Sequence, residues 1–309
     1  MSDGLAEWWL ASVEPEVAAP HAGHPFRAPT PPATERPLEL IRIFDVDMDH
    51  PAVAMITSEV DFVYELAHPN VSRIVALGRT GAGCLFIAME RLRGWRLDTV
   101  LDRAAYCRRP LPVAAALYIA GELLGALDYL HRWRWRGRPN EIVHRGVAPD
   151  SIFVTASGGI KLLDAGLRRL LGLSQVGRPQ PRFGAAYAHL SPEQARGLPP
   201  TTRSDLFAAG VVVHEMLTCR PLFTGNAPLA ILAAIGAADV AAPSTVRAGL
   251  PNDLDRAVRC ALARAPDNRY ADAAAMARAL DEVAVRHDLD DGVAALRVYL
   301  DGVGAMDAP

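Results

Sequence analysis

Strand-like and helical segments are segregated along this chain of 309 residues, and that segregation limits the folds open to it. Short apolar runs with β-branched residues lie near the front: LELIRIF (38–44), VSRIVALG (71–78) and CLFIAME (84–90). Further on, one compact patch reads as short strands again: IVHRG (142–146), SIFVT (151–155) and IKLLD (160–164). Most of the remainder has helical spacing: LPVAAALYIAGELLGALDYLH (111–131), SDLFAAGVVVHEMLT (204–218), APLAILAAIG (227–236), NDLDRAVRCALAR (252–264) and DAAAMARALDEVAVR (272–286). A small strand-rich front and a large helical back make an α+β chain of two lobes.

Two segments join these blocks. Residues 12–37 are rich in Pro and Ala; proline fixes φ and removes donors, so this stretch reads as an extended insertion. PAVAMITSEVDFVYELA (51–67) reads as a helix with Val60, Val63 and Tyr64 on one face, ended by His68-Pro69-Asn70. The last segment, DDGVAALRVYLDG (290–302), reads as an acidic-flanked helix.

Composition excludes several classes. The net charge of −3 gives no global attraction to nucleic acid. Cys84, Cys107, Cys219 and Cys260 form no CxxC pair, so free thiols in a reducing compartment are expected in place of a zinc site or disulfide framework. The longest apolar stretches, such as AAGVVVHEML, read as too short and interrupted to span a bilayer, and no signal peptide is visible. A cytoplasmic protein with no membrane contact is expected. Of the 32 basic residues only Lys161 is a lysine, so any chemistry that needs a lysine must use that one.

Ordered motifs then narrow the reading. HRGVAPDSIFV (144–154) resembles the catalytic loop HRDxxPxNxxV of the bacterial, eukaryotic-like Ser/Thr protein kinase family. LLDAG (162–166) resembles the DFG segment, and HLSPEQARG (189–197) the APE region. RSDLFAAGVVVHEMLTCRPLF (203–223) resembles the helix whose aspartate, here Asp205, anchors the catalytic loop. DNRY (267–270) resembles the late motif whose arginine, here Arg269, pairs with the APE glutamate, here Glu193. Glu59, nine residues before HPN, stands where the family has its αC glutamate, and GLAEWWLAS (4–12) resembles the end of the phosphate-covering loop and the next strand.

The resemblance covers roughly residues 2–285. It implies a bilobal kinase-like domain over 1–285, with a reduced N-lobe (1–90) carrying the Pro-rich insertion and a helical C-lobe (91–285), followed by a tail (286–309). By this match the chain starts inside the glycine-rich loop, without its first strand. Erosion and a start codon assigned too far downstream are both open.

Phosphoryl transfer needs positioning, metal and charge neutralisation, and each implied part can be checked against the residues. The loop's acid is replaced by Gly146, which has no side chain, and the next polar residue of the family is Ala148. Asp150, four residues on, is expected to point away from the site. Asp164 keeps the DFG carboxylate, a hard ligand suited to Mg²⁺, whereas Ser151 replaces the asparagine that holds a second metal. Arg42 stands in register with the clamp lysine, where its planar fork is not a lysine's point charge. Met1 and Asp3 replace leading glycines of the covering loop, and Ala165 replaces the DFG phenylalanine. Trp8 stands where the family roofs the adenine with valine, and Met89 to Leu92 would form the hinge.

Glu193, Asp205, Gly210 and Arg269, which hold the fold, are all kept. Loss confined to the chemistry implies a degenerate member, a pseudokinase acting as a signalling scaffold or allosteric partner of other proteins. A weak Ser/Thr kinase and an ATP-sensing switch without catalysis are the alternatives, and ATP and Mg²⁺ binding is expected to be weak or absent. In the activation segment Ser174 and Tyr187 are the hydroxyl acceptors, and Arg145 would meet a phosphate there. RWRWRGR (132–138) alternates Trp with Arg; it reads as an inserted basic loop, with a site for nucleic acid or for an acidic partner as the other reading.

Overall fold

The computed structural model describes residues 6–11, 39–47, 61–79, 84–167, 187–289 and 291–302. Glu59, Met1, Asp3, Ser174, the insertion at 12–37 and the first part of the expected 51–67 helix lie outside the described residues. The chain divides into two compact units, Met1–Leu92 with Asp164–Pro181, and Arg93–Leu163 with Arg182–Pro309.

The first unit is built on an antiparallel sheet of β1 (Ala6–Ala11), β2 (Glu39–Asp47), β3 (Ile74–Arg79) and β4 (Cys84–Met89), in the order β1-β2-β4-β3. The GLAEWWLAS phrase supplies β1. Residues 61–65, expected as helix, form a 3-10 turn packed on β3. Val63, Leu66, Val71, Ile74, Ile87, Ala88 and Met89 are buried in this unit.

In the second unit β5 (Gly94–Arg96) leads into α1 (Leu97–Tyr106) and α2 (Val113–His131). The hairpin of β6 (Arg134–Trp135) and β7 (Arg138–Pro139) follows, then β8 (Ile152–Thr155) and β9 (Ile160–Leu162), which complete a sheet in the order β5-β8-β9. The helices α3 (Pro192–Ala195), α4 (Thr202–Thr218), α5 (Pro228–Ala237), α6 (Pro243–Val246), α7 (Asn252–Ala261), α8 (Ala273–Arg286) and α9 (Gly292–Gly302) make up the rest.

At this centre lies α2, against α4, α8 and α9. With Glu122 and Asp128 as its only acidic residues it is long and apolar enough to cross a membrane, contrary to the expectation that no stretch reaches that length. Its apolar residues are instead core: Ala116, Ile119, Ala120, Leu123, Leu124, Leu127 and Leu130 are all buried. A helix apolar on most sides is what a centre surrounded by other helices requires. The partner helix α4 is buried from Ser204 to Thr218, and a Cβ on Gly210 would lie 2.8 Å from that of Ala261.

Two further expectations change. IVHRG is not a strand, because the backbone N–H groups of His144 and Arg145 bond to a side chain and not to a neighbouring strand. The segment after Leu163 groups with the first unit and not with the helical lobe assigned to 91–285. The helix expected within 290–302 is present as α9, and it is packed into the helical unit: Leu296 and Tyr299 are buried, and Tyr299 donates to the carbonyl of Arg109 at 2.7 Å.

Candidate functional site

The loop His144–Ser151 hangs from one carboxylate. Asp205, in the first turn of α4, accepts the amide of His144 on Oδ2 and the amide of Arg145 on Oδ1, each at 2.8 Å. The ring Nε2 of His131, the last residue of α2, lies 2.8 Å from the same Oδ2. Asp205 is 1% exposed, and a buried carboxylate is tolerated only when its lone pairs are met as they are here. The anchoring role implied for Asp205 is therefore visible in the geometry. His131 was not foreseen. Its spacing from Leu124 and Leu127 along α2 was the available signal, since it puts the three on one face.

The loop is closed at its other end by the hairpin that follows. Nε2 of His144 lies 2.8 Å from the carbonyl of Leu163, and the amide of Leu163 donates to the carbonyl of Ser151 at 2.8 Å. Arg145 takes a left-handed φ of 68° with its side chain exposed, whereas Val147 and Pro149 are buried. Between them Gly146 sits half-buried, so a well-anchored backbone presents no side chain at the position of the implied acid. Asp150 is exposed to solvent.

Ser151 is 1% exposed and spends its hydroxyl locally. The Oγ donates to the carbonyl of Ala148 at 2.9 Å and accepts the amide of Ala148 at 3.0 Å. A hydroxyl has one proton and two lone pairs, so one lone pair remains, on a buried neutral oxygen. That fits a second divalent cation poorly, because Mg²⁺ selects anionic and water oxygens in octahedral array.

In the first unit Asp164 is buried, with a left-handed φ of 61°. Its carbonyl accepts the amide of Leu167 at 3.0 Å. A non-glycine residue held there marks an over-determined backbone. Ala165 is 1% exposed, and Gly166, with φ of 77°, passes so close to the 61–65 turn that a Cβ would lie 3.0 Å from the Phe62 ring. In the sheet, Trp8 is the direct cross-strand partner of Arg42, and Arg42 pairs with Ile87 on the other side. Met89 is buried at the end of β4, and Leu92 is half-buried at the end of the unit. Asp164 is the described carboxylate that would hold a metal. Among the described residues no three His, Cys, Asp or Glu side chains gather into a metal-binding group.

The APE-like helix α3 is locked from below. Glu193 and Arg269 form a two-pronged pair with both N–O distances 2.8 Å, and Ser204 donates to Glu193 Oε1 at 2.6 Å. Arg269 also donates to the carbonyls of Ala263, Arg203 and Arg264, and lies 4.9 Å over the Phe207 ring. Burial pushes the Glu193 carboxyl up, but the hydrogen bonds from Arg269 and Ser204 outweigh it and hold the pKa down at about 2.

Protein kinase domain is the family whose model matches, over residues 42–277. The chain belongs to the protein kinase family. Among curated relatives, tyrosine-protein kinase MasK of Myxococcus xanthus (strain DK1622) is 32% identical over 254 residues, 81% of this chain and 38% of that protein. Serine/threonine-protein kinase PknL of Mycobacterium tuberculosis (strain ATCC 25618 / H37Rv) is 37% identical over 199 residues, 64% of this chain and 47% of that one. The chain thus spans less than half the length of either relative. A solved kinase domain, Mycobacterium tuberculosis PknI, superposes with a TM-score of 0.63 at 23% identity and covers 92% of each chain, which shows the protein kinase fold. Strand β1 and helix α9 of this kinase-family chain lie outside the matched stretch.

Proposed function

We propose that this member of the kinase family is a pseudokinase: a signalling scaffold or allosteric partner of other proteins, with little or no phosphotransfer. The observation that carries the reading is Gly146 in an intact setting. Asp205 and His131 hold the loop, Leu163 closes it, and the residue presented has no group to accept a proton. Ser151 adds to this through the local engagement of its hydroxyl, and Arg42 in β2 through a fork that differs from the lysine point charge. Roles for Glu59, Met89 and Leu92 in nucleotide contact belong to the same proposal and follow from the family alone.

A second reading is favoured by one residue. Asp164 keeps its carboxylate, so a chain that binds Mg²⁺ and ATP and senses them without transfer is compatible with that position. Protein partners and a cytoplasmic setting are proposed for either reading; Cys107, Cys219 and Cys260 are free thiols, which suits a reducing compartment. Transfer of γ-labelled phosphate to the chain itself or to a basic protein substrate tests the proposal, with Asp164→Ala as the zero. Incorporation equal in both is expected; incorporation that Asp164→Ala abolishes would return the chain to the active kinases.

A further inference from the structure

The RWRWRGR segment folds into a defined hairpin and not a wandering loop. Arg134 pairs with Pro139 and Trp135 with Arg138. The two residues at the tip, Arg136 and Gly137, have φ of 49° and 78°, the pattern of a tight turn matched to strand twist. The stem is closed by the amide of Asn140, which donates to the carbonyl of Trp133, and tied to α2 by the amide of Ile142, which donates to that of Leu130. The ring of Trp133 stands edge-on to Tyr129 at 5.3 Å.

The exposed side of this hairpin has an unusual charge state. Arg132 is neutralised by Asp128 at 2.9 Å and Asp272 at 3.4 Å. Arg134 and Arg136 are exposed and meet no carboxylate among the described residues. Arg134 donates to the carbonyl of Gly137 at 2.9 Å, and Arg136 lies 4.8 Å over the Trp135 ring, so both guanidiniums are held in place with charge to spare. Beside them Trp135, Arg136, Pro139 and Asn140 line a shallow, open recess.

We propose that this hairpin is a docking surface for an acidic segment of a protein partner. Carboxylates of that segment pair with Arg134 and Arg136, whose planar forks suit bidentate contact. An apolar side chain of the same segment packs against Trp135 and Pro139 in the recess, with Asn140 as its polar edge. Trp and Arg together are the residue types that dominate interface energetics. A nucleic acid fits less well. Affinity for a polyanion comes from many phosphate contacts, and the two described guanidiniums of this hairpin, on a chain of net charge −3, supply few. The Trp135 face that a base would stack on carries Arg136. The surface is independent of whether the chain transfers phosphate.

The test uses the full chain and a fluorescein-labelled peptide of alternating Asp, Glu and Leu, followed by anisotropy. Controls are the same peptide with Ser for its acidic residues and a single-stranded oligonucleotide of equal charge. Arg134→Gln with Arg136→Asn removes both charges at exposed sites and keeps a turn-compatible residue at the tip, so an unchanged melting midpoint certifies the fold. Saturable binding of the acidic peptide, weakened about tenfold or more by the double variant and by added salt, is the expected result. Absence of binding up to about 1 mM peptide overturns the proposal, as does binding that the double variant leaves intact. Tighter binding of the oligonucleotide, lost in the same variant, overturns it in favour of nucleic acid.

Discussion

The hydroxyl of Ser151 and the backbone of Ala148 hold each other twice, at 2.9 Å through the carbonyl and at 3.0 Å through the amide. The residue that stands at a metal-binding position of the family thus acts as a cap for its own loop. Ser151→Ala leaves the Ala148 amide without its partner and is expected to lower stability by about 1–3 kcal/mol. Chemical denaturation measures this. The same variant should leave any effect of Mg²⁺ on nucleotide binding unchanged, since a buried neutral hydroxyl already engaged by Ala148 fits the cation poorly.

Arg269→Ala is expected to cost about 3–5 kcal/mol, because it strands the buried Glu193 carboxylate. The pair also sets an acid limit. Glu193 has a folded pKa near 2 against an ordinary value of 4.5, so its contribution is complete above the ordinary value and disappears as pH falls through the folded one. Urea unfolding of the wild type and Glu193→Gln between pH 6 and pH 2 should show a gap that narrows toward the acid end. A gap that stays constant would mean that the carboxylate charge is not what holds α3.

Helix α9 reaches two separate places. Arg297 donates to the carbonyl of Ser157 in the β8–β9 turn at 2.7 Å, and Arg109 donates to the carbonyl of Gly302 at 2.9 Å. Tyr299, 2% exposed, is its main buried side chain. Tyr299→Ala is expected to destabilise the protein by about 3–5 kcal/mol, whereas Val298→Ser at the neighbouring position, 67% exposed, should stay within about 0.5 kcal/mol. Equal effects of the two in thermal unfolding would show that α9 is not part of the core.

Nucleotide separates the two readings of the site. A ligand that binds the folded chain alone raises its midpoint, by about 2.7 kcal/mol of stability at a hundredfold excess over Kd. No Mg²⁺-dependent rise at about 1 mM ATP is expected for the scaffold. A rise that Asp164→Ala removes would favour the ATP-sensing switch.

Much of the helical unit was legible because its motifs, in order, resemble those of a known family. The resemblance of 203–223, 189–197 and 267–270 to kinase motifs implied the Asp205 anchor and the Glu193–Arg269 pair, and both are present in the geometry. Residues whose partners come from packing were less legible. His131 closes on Asp205 from the end of α2, and nothing local to it names that partner. IVHRG has the composition of a strand, yet a side-chain carboxylate takes the backbone donors that a strand would offer. The Trp/Arg run gave its charges to the eye, but not the turn at Arg136–Gly137, nor that Arg134 and Arg136 meet no carboxylate among the described residues. That a glycine stands at the position of the implied acid was legible at Gly146, whereas the local engagement of the Ser151 hydroxyl needed the fold.

The central claim is loss of transfer at Gly146, and one comparison meets it most directly. Wild type, Gly146→Asp and Asp164→Ala are given γ-labelled ATP with Mg²⁺, and label in protein is counted over time. The expected result is background in all three, because the acid is one of several losses. Label in the wild type above the Asp164→Ala background contradicts the pseudokinase reading outright. Full activity in Gly146→Asp alone would show that Ser151 and Arg42 still serve the chemistry.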